Sequence, residues 1–309
     1  MKVLIADDDT VTRKVLEANL KKWGYEVVSC ADGTEALSAL DREEPANLVI
    51  LDWMMPAMTG VEICRHIRES GRKAYTYVIL LTGKTETAEV VEGLEAGADD
   101  YITKPFDTNE LKVRVRAGAR IVQLERDLTA ALQKSEFQAA HDALTTLWNR
   151  AAIRERLSNE LTRSSREGTA VGLIMADIDH FKRINDEHGH LCGDAVLSEV
   201  ALAMGPLVRT YDVIGRYGGE EFVIVLPGCT ADQAYEIAER VRRKFSDNPI
   251  RTPEGNLPVT LSFGVTSTAN TNHPDVDTVI RAADEALYEA KRKGRNRVEV
   301  WTECGDMAQ

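Results

Sequence analysis

Residues 171–179, Val171-Gly172-Leu173-Ile174-Met175-Ala176-Asp177-Ile178-Asp179, decide the reading of the C-terminal half. Val171 to Ala176 is apolar without alternation, the mark of a strand buried on both faces, and it runs straight into two carboxylates. A helix ending near Arg166 precedes it, and Val213 to Arg216 and Phe222 to Leu226 follow as two short strands. Tyr217-Gly218-Gly219-Glu220-Glu221 joins those two as a hairpin, with glycines where positive φ is needed. A Gly-Gly-Glu-Glu hairpin alone is an ordinary turn with exposed acids. Beside a central strand ending in Asp177, it is what a two-metal phosphoryl-transfer site requires: paired Mg²⁺ ions activate a hydroxyl and neutralise a leaving pyrophosphate.

Working outward to the N-terminus, Val3 to Ala6, Glu26 to Cys30, Leu48 to Leu51, Val78 to Leu81 and Asp100 to Thr103 alternate with helical patterns. That alternation predicts a doubly wound parallel α/β sheet, whose functional groups collect at the carboxyl ends of the strands. Asp7 and Asp8 end the first strand, Asp52 the third, Thr82 the fourth and Lys104 the fifth. Three carboxylates brought together repel one another unless a hard cation such as Mg²⁺ shares them.

Composition narrows the function classes. The 309 residues carry 50 acidic and 38 basic side chains, a formal net charge of −12, which argues against nucleic acid or an anionic membrane as partner. No apolar stretch approaches bilayer length, and Asp7-Asp8-Asp9 cuts the first apolar run too early for a signal peptide. Five scattered cysteines (Cys30, Cys64, Cys192, Cys229, Cys304) show no metal or redox spacing, so a soluble protein of the reducing cytoplasm is expected.

Between the halves, Asp107 or Thr108 caps a helix that runs to about Ala140 without proline and with Gly118 as its one glycine. Ile121, Leu124, Leu128 and Ala131 recur at three and four residues, either as a coiled-coil seam or as a face packed on the helix's own domain.

The first 118 residues resemble the response-regulator receiver family in Asp7-Asp8, Leu51-Asp52-Trp53-Met54-Met55-Pro56, Leu81-Thr82-Gly83 and Lys104-Pro105. The resemblance implies that Asp52 accepts a phosphoryl group from a cognate histidine kinase. It also implies that Asp7, Asp8, Asp52 and the Met54 carbonyl hold one Mg²⁺, that Thr82 and Lys104 contact the phosphoryl oxygens, and that Tyr101 swings inward as a switch.

Residues 142–303 resemble the GGDEF family of diguanylate cyclases. The resemblance is carried by Asp177-Ile178-Asp179-His180-Phe181-Lys182, Asn185-Asp186, Gly189-His190, Gly193-Asp194, Arg216-Tyr217-Gly218-Gly219-Glu220-Glu221-Phe222 and Ala290-Lys291-Arg292-Lys293-Gly294-Arg295-Asn296. It implies an α+β fold like the palm of polymerases and nucleotide cyclases, and condensation of two GTP into cyclic di-GMP. In that reading Asp177, the Ile178 carbonyl, Glu220 and Glu221 hold two Mg²⁺, and Glu220 is the general base for the 3′-hydroxyl. Asn185 and Asp194 read guanine, His190 lies near ribose or base, and Phe181, Lys182, Lys291 and Arg295 cradle the β- and γ-phosphates. Arg209-Thr210-Tyr211-Asp212 stands where the family carries its product-inhibition site, with Arg240 as a second half. Thr146 replaces a usual glycine in the opening motif Asp142 to Arg150, and a local change of chain path is expected there.

The resulting expectation is a receiver domain over 1–118, a helical linker over 119–141, a cyclase domain over 142–303 and a tail over 304–309. Each cyclase domain holds one GTP while the product needs two, so a homodimer is required. A non-catalytic receptor for cyclic di-GMP, and a cyclase for another purine, remain the alternatives.

Overall fold

The computed structural model describes residues 1–42, 45–71, 74–83, 87–270 and 274–302; the tail over 304–309, with Cys304, lies outside the described residues. The chain divides into two compact units, Met1–Lys134 and Ser135–Gln309.

The first unit alternates strand and helix in the order β1 (Lys2–Ala6), α1 (Thr10–Lys22), β2 (Glu26–Cys30), α2 (Gly33–Leu40), β3 (Leu48–Asp52), α3 (Gly60–Glu69), β4 (Tyr77–Thr82), α4 (Thr87–Glu95) and β5 (Asp100–Thr103). Its five strands are all parallel, in the order β2-β1-β3-β4-β5. Alternate residues of β3 feed opposite cores: Val49 and Leu51 join Ala36, Ile63 and Val78, while Leu48 and Ile50 join Leu16, Leu20 and Leu111. This two-sided burial is why the central strands read as unbroken apolar runs.

Helix α5 (Thr108–Ala140) begins where Asp107 Oδ1 accepts from the Asn109 and Glu110 N–H groups. Leu111, Val115, Gly118 and Val122 are buried, but every residue from Gln123 to Ala139 is exposed. Leu124, Leu128 and Leu132 therefore present more than half of their surface to solvent.

The second unit runs α6 (Arg150–Glu167), β6 (Val171–Ile178), α7 (Phe181–His188), α8 (His190–Met204), β7 (Val213–Gly218), β8 (Glu221–Pro227), α9 (Ala231–Asp247), β9 (Ile250–Thr252), β10 (Gly255–Leu257), β11 (Leu261–Ser267), α10 (Val276–Arg292) and β12 (Val298–Val300). Its main sheet has the order β12-β11-β6-β8-β7, antiparallel except for β11 with β12; β9 and β10 form a separate two-stranded ribbon. Strand β6 is buried along its whole length. Ile174, Ala176 and Ile178 face the core shared with α8 and α9, while Val171, Leu173 and Met175 face the one shared with α6 and α10. Phe222 and Phe263 are wholly buried in the first of these cores, and each contributes about 2–3 kcal/mol by leaving water.

Three local expectations change. Strand β6 continues to Ile178, so Asp177 belongs to the sheet and not to a loop beyond it. Of the two hairpin glycines only Gly219 takes positive φ (46°), because a bulge between Arg216 and Gly218 absorbs the rest of the turn. At the opening motif Thr146 itself adopts φ 59°, the conformation glycine favours, so the chain keeps that path and the threonine bears the strain.

Candidate functional site

Two acidic sites emerge, one in each unit. In the first, β1 and β3 lie side by side with Ala6 opposite Leu51, so the residues leaving them at the same edge are Asp7 and Asp52. Single carboxylate oxygens of Asp7, Asp8 and Asp52 lie within 4.8 Å of one another. Lys104 Nζ reaches both buried members, donating to Asp7 Oδ2 at 2.7 Å and approaching Asp52 Oδ1 at 2.9 Å. Burial raises the pKa of Asp52, and the charges of Asp7 and Asp8 add to that rise against the opposing Lys104. Burial pulls Lys104 the other way, but its hydrogen bonds to Asp7 and Asp52 prevail and its pKa is raised. Two buried carboxylates thus share one ammonium with Asp8 close by, and a hard divalent cation fits the all-oxygen donor set. Thr82 is buried at the end of β4, with its carbonyl accepting from the Lys104 N–H at 2.7 Å. The Met54 side chain is exposed, and Tyr101 is half-buried against the Trp53 side of the core.

In the second unit, strand register does the assembling. Asp177 pairs with Glu221 across β6 and β8, and alternation places both on the sheet face covered by α6 and α10. Glu220 stands at the turn, with its carbonyl accepting from the Ile178 N–H at 3.3 Å. From α10, Lys291 Nζ reaches Asp177 Oδ2 at 2.7 Å. Burial raises the Asp177 pKa to about 6; Lys291 opposes this, and Glu220 and Glu221 reinforce it. Burial also raises Glu221. Among the described residues Asp177, Glu220 and Glu221 do not close into a tight carboxylate group of the kind formed by Asp7, Asp8 and Asp52. Their donors are nonetheless hard oxygens around a buried carboxylate, which suits Mg²⁺.

Helix α7 starts directly after this edge, through His180 in the left-handed region (φ 58°), so the Phe181 and Lys182 amides are free of intrahelical partners at its N-terminus. Gly193, next to Asp194 on α8, lets α7 approach closely: an added Cβ there would lie 1.9 Å from Asn185 Oδ1. His190 opens α8 and is exposed. Helix α10 ends at Arg292, so Lys291 lies on the helix while Arg295 sits exposed in the turn beyond it at φ 63°. Gly193→Ala is expected to push Asn185 out of place and raise the KM for GTP about tenfold with little change in kcat, as steady-state kinetics would read.

A third locus involves the Arg209 segment. Asp212 Oδ2 accepts from the Arg209 N–H at 2.7 Å, while its buried Oδ1 has no hydrogen-bond partner among the described residues. Burial raises the Asp212 pKa against the nearby Arg209 and Arg240. Arg209 and Asp212 line a cavity of ≈ 270 Å³ with Trp148 and His141. Arg240 donates to the Leu207 carbonyl at 2.6 Å and 3.2 Å, on the segment leading to Arg209. A larger cleft of ≈ 740 Å³, lined by Arg156, Arg163 and Tyr211, lies away from the acids, which occupy an open sheet edge.

Sequence reasoning assigned nothing to the bridge between Asp142 and Arg216. Arg216 Nη1 lies 3.1 Å from Asp142 Oδ1, and Arg216 Nε donates to the Gly219 carbonyl at 2.9 Å. The Thr145 N–H and hydroxyl both donate to Asp142 Oδ1 at 2.8 Å. Both residues were in view in quoted motifs, but nothing in spacing alone pairs them across 74 positions.

Comparison with known proteins agrees with this geometry. A family model described as diguanylate cyclase, GGDEF domain, matches residues 139–297, and one described as response regulator receiver domain matches residues 3–116. The response regulator PleD of Caulobacter vibrioides is 33% identical over 299 residues, 96% of this chain, and the chain spans 65% of that protein's length. The diguanylate cyclase DgcP of Pseudomonas aeruginosa is 39% identical over 216 residues, which make up 68% of this chain and 32% of that protein. The coiled coil and GGDEF domain of DgcB from Caulobacter crescentus, solved in complex with c-di-GMP, superposes with a TM-score of 0.56 at 31% identity, covering 61% of this chain and 98% of that one. The chain therefore belongs to the GGDEF diguanylate cyclase family, with a response regulator receiver domain preceding its GGDEF domain.

Proposed function

We propose that the protein is a phosphorylation-regulated diguanylate cyclase that condenses two GTP into cyclic di-GMP and two pyrophosphate. The observation that supports this most directly is the register pair of Asp177 with Glu221, with Glu220 at the adjoining turn and Lys291 opposite. Asp177, the Ile178 carbonyl, Glu220 and Glu221 would hold two Mg²⁺, which would lower the pKa of the 3′-hydroxyl and offset charge on the leaving pyrophosphate. Glu220 takes the hydroxyl proton as the 3′-oxygen attacks the α-phosphorus of the other GTP. Phe181 and Lys182 amides, Lys291 and Arg295 bind the β- and γ-phosphates. Asn185 and Asp194 accept and donate along the guanine edge, with Asp194 accepting from the amine that adenine lacks there, and His190 lies beside the nucleoside.

The other elements follow from that chemistry. One GTP per domain requires two chains, and the bare Leu124, Leu128, Leu132 stripe of α5 is the surface we assign to the homodimer seam. Asp7, Asp8, Asp52 and the Met54 carbonyl would hold one Mg²⁺, which would offset phosphoryl charge, and Asp52 is the residue that receives a phosphoryl group from a histidine kinase, with Thr82, Lys104 and Tyr101 responding to it. We divide the chain into a receiver over 1–118, a linker over 119–141 and a cyclase domain over 142–303. Among the described residues no helix is long and apolar enough to cross a membrane, and a cytoplasmic location fits a GTP-consuming enzyme.

Product inhibition is assigned to Arg209, Asp212 and Arg240, on the strength of the unpartnered Asp212 Oδ1 beside a guanidinium. The test is chromatography of the products formed from GTP and Mg²⁺. Cyclic di-GMP should accumulate and then stall, and Arg209→Ala should abolish the stall while sparing the initial rate. No product, together with tight cyclic di-GMP binding, would favour the receptor reading instead.

A further inference from the structure

Asp179 has no role in the chemistry above, yet it is only 5% exposed and its carboxylate accepts three hydrogen bonds. Thr260 Oγ1 donates to Oδ2 at 2.7 Å, the Asn296 N–H to the same oxygen at 3.0 Å, and Ser262 Oγ to Oδ1 at 2.6 Å. The Asp179 N–H in turn donates to the Thr260 carbonyl at 2.9 Å. Three donors already satisfy this carboxylate, so it needs no cation.

The partners lie on either side of the phosphate-binding region. The next residue, His180, is the left-handed residue that opens α7 and aims the Phe181 and Lys182 amides. On the other side, Arg295 and Asn296 are consecutive left-handed residues, at φ 63° and 45°, a conformation that non-glycine residues rarely adopt. Such a turn persists only when its surroundings over-determine it. Asp179 fixes the Asn296 N–H, and Arg242 Nη1 donates to Asn296 Oδ1 at 2.9 Å. Arg242 is itself held on both oxygens of Glu239, at 2.9 and 3.2 Å.

We infer that Asp179 is a positioning residue for the triphosphate: it ties the N-terminus of α7 to the Arg295-Asn296 turn and so fixes the separation of the two halves of the phosphate cradle. This rests on the proposed GTP site. Its side-chain bonds reach neither Asn185 nor Asp194, so its loss should weaken the grip on the phosphates and leave the base untouched.

The experiment is a calorimetric titration of the full chain with two probes, 3′-deoxy-GTP, which cannot condense, and GMP, which lacks the β- and γ-phosphates. Asp179→Ala should weaken 3′-deoxy-GTP about tenfold, about 1.4 kcal/mol, and GMP by less than about twofold. Asp179→Asn keeps an acceptor for the Asn296 N–H and should recover most of the loss. Asn296→Gly placed in the Asp179→Ala background should recover part of it, because glycine takes positive φ at no steric cost. If Asp179→Ala does not fold, Ser262→Ala removes one anchor and should give the same split at about threefold. Equal losses for both probes, or none for either, would overturn the inference. A wild-type chain that binds neither probe would instead overturn the proposed GTP site, which keeps the two failures distinct.

Discussion

Glu220→Ala should lower cyclic di-GMP synthesis by about a thousandfold while leaving cyclic di-GMP binding at Arg209 and Asp212 unchanged. The size follows from removing an ion ligand and a proton acceptor at once, each of which is worth several kcal/mol in a metal-assisted transfer. The separation follows from the fold: Glu220 lies at the hairpin turn between β7 and β8, while Arg209 and Asp212 precede β7 at the opposite end of that strand. Turnover within tenfold of wild type would exclude Glu220 from the chemistry, and loss of both properties would point to a disrupted domain. The pH profile supplies a second reading of the same site. Asp177 is held at about 6, above the ordinary carboxylate value of 3.8, so it takes up a proton as pH falls through 6. Ion binding needs the ionised form, so kcat/KM should fall about tenfold per unit on the acid side, in a limb that higher Mg²⁺ displaces to lower pH. The stability sign is opposite: the folded state holds this proton more tightly, so in metal-free protein Asp177 alone favours folding increasingly as pH falls from 6 toward 3.8.

The second large effect concerns Asp52. Beryllofluoride, a phosphoryl mimic, should raise synthesis about 10- to 100-fold and drive the chain toward a dimer in sedimentation, and Asp52→Asn should abolish both responses. In the resting site a single ammonium already serves Asp7 and Asp52, at 2.7 and 2.9 Å. A phosphoryl group adds a charge of about −1.5 to −2 and three acceptor oxygens, so Lys104 and the Thr82 hydroxyl gain a stronger partner than they have now. On the proposed mechanism two chains must meet for synthesis, and Leu124, Leu128 and Leu132 would offer the apolar face for it. An unphosphorylated chain that is already fully dimeric and maximally active would exclude this mechanism.

The parallel strands of the first unit were legible because burial on both faces leaves runs such as Leu48-Val49-Ile50-Leu51 with no polar interruption. The long helix was legible because proline is absent from it, and its exposed end shows that the Leu124 and Leu128 stripe does not pack on its own domain. The candidate acids were legible because Asp7, Asp8, Asp52 and Asp177 fall at strand ends and Glu220 and Glu221 at a hairpin between two strands, and parity along β6 then fixes which face Asp177 takes. What stayed hidden depends on partners distant in sequence. Asp179 meets Asn296 across 117 positions, and Gly193 matters only because Asn185 presses on it from another helix. Where α10 stops was likewise hidden: Lys293 and Gly294 end it before Arg295, which takes a left-handed conformation that its residue type does not announce.

The bridge from Asp142 through Arg216 to the Gly219 carbonyl has a mechanical meaning. Asp142 lies two residues beyond the last turn of α5, which is pinned further by Asn149 Nδ2 donating to the Ala139 carbonyl at 2.7 Å. Gly219 immediately precedes Glu220. Two hydrogen bonds therefore link Asp142, just past the end of the 33-residue helix, to the turn that holds Glu220. A twist at that end of the helix would then be felt at the turn through Arg216, so replacing Arg216 should uncouple Glu220 from the helix.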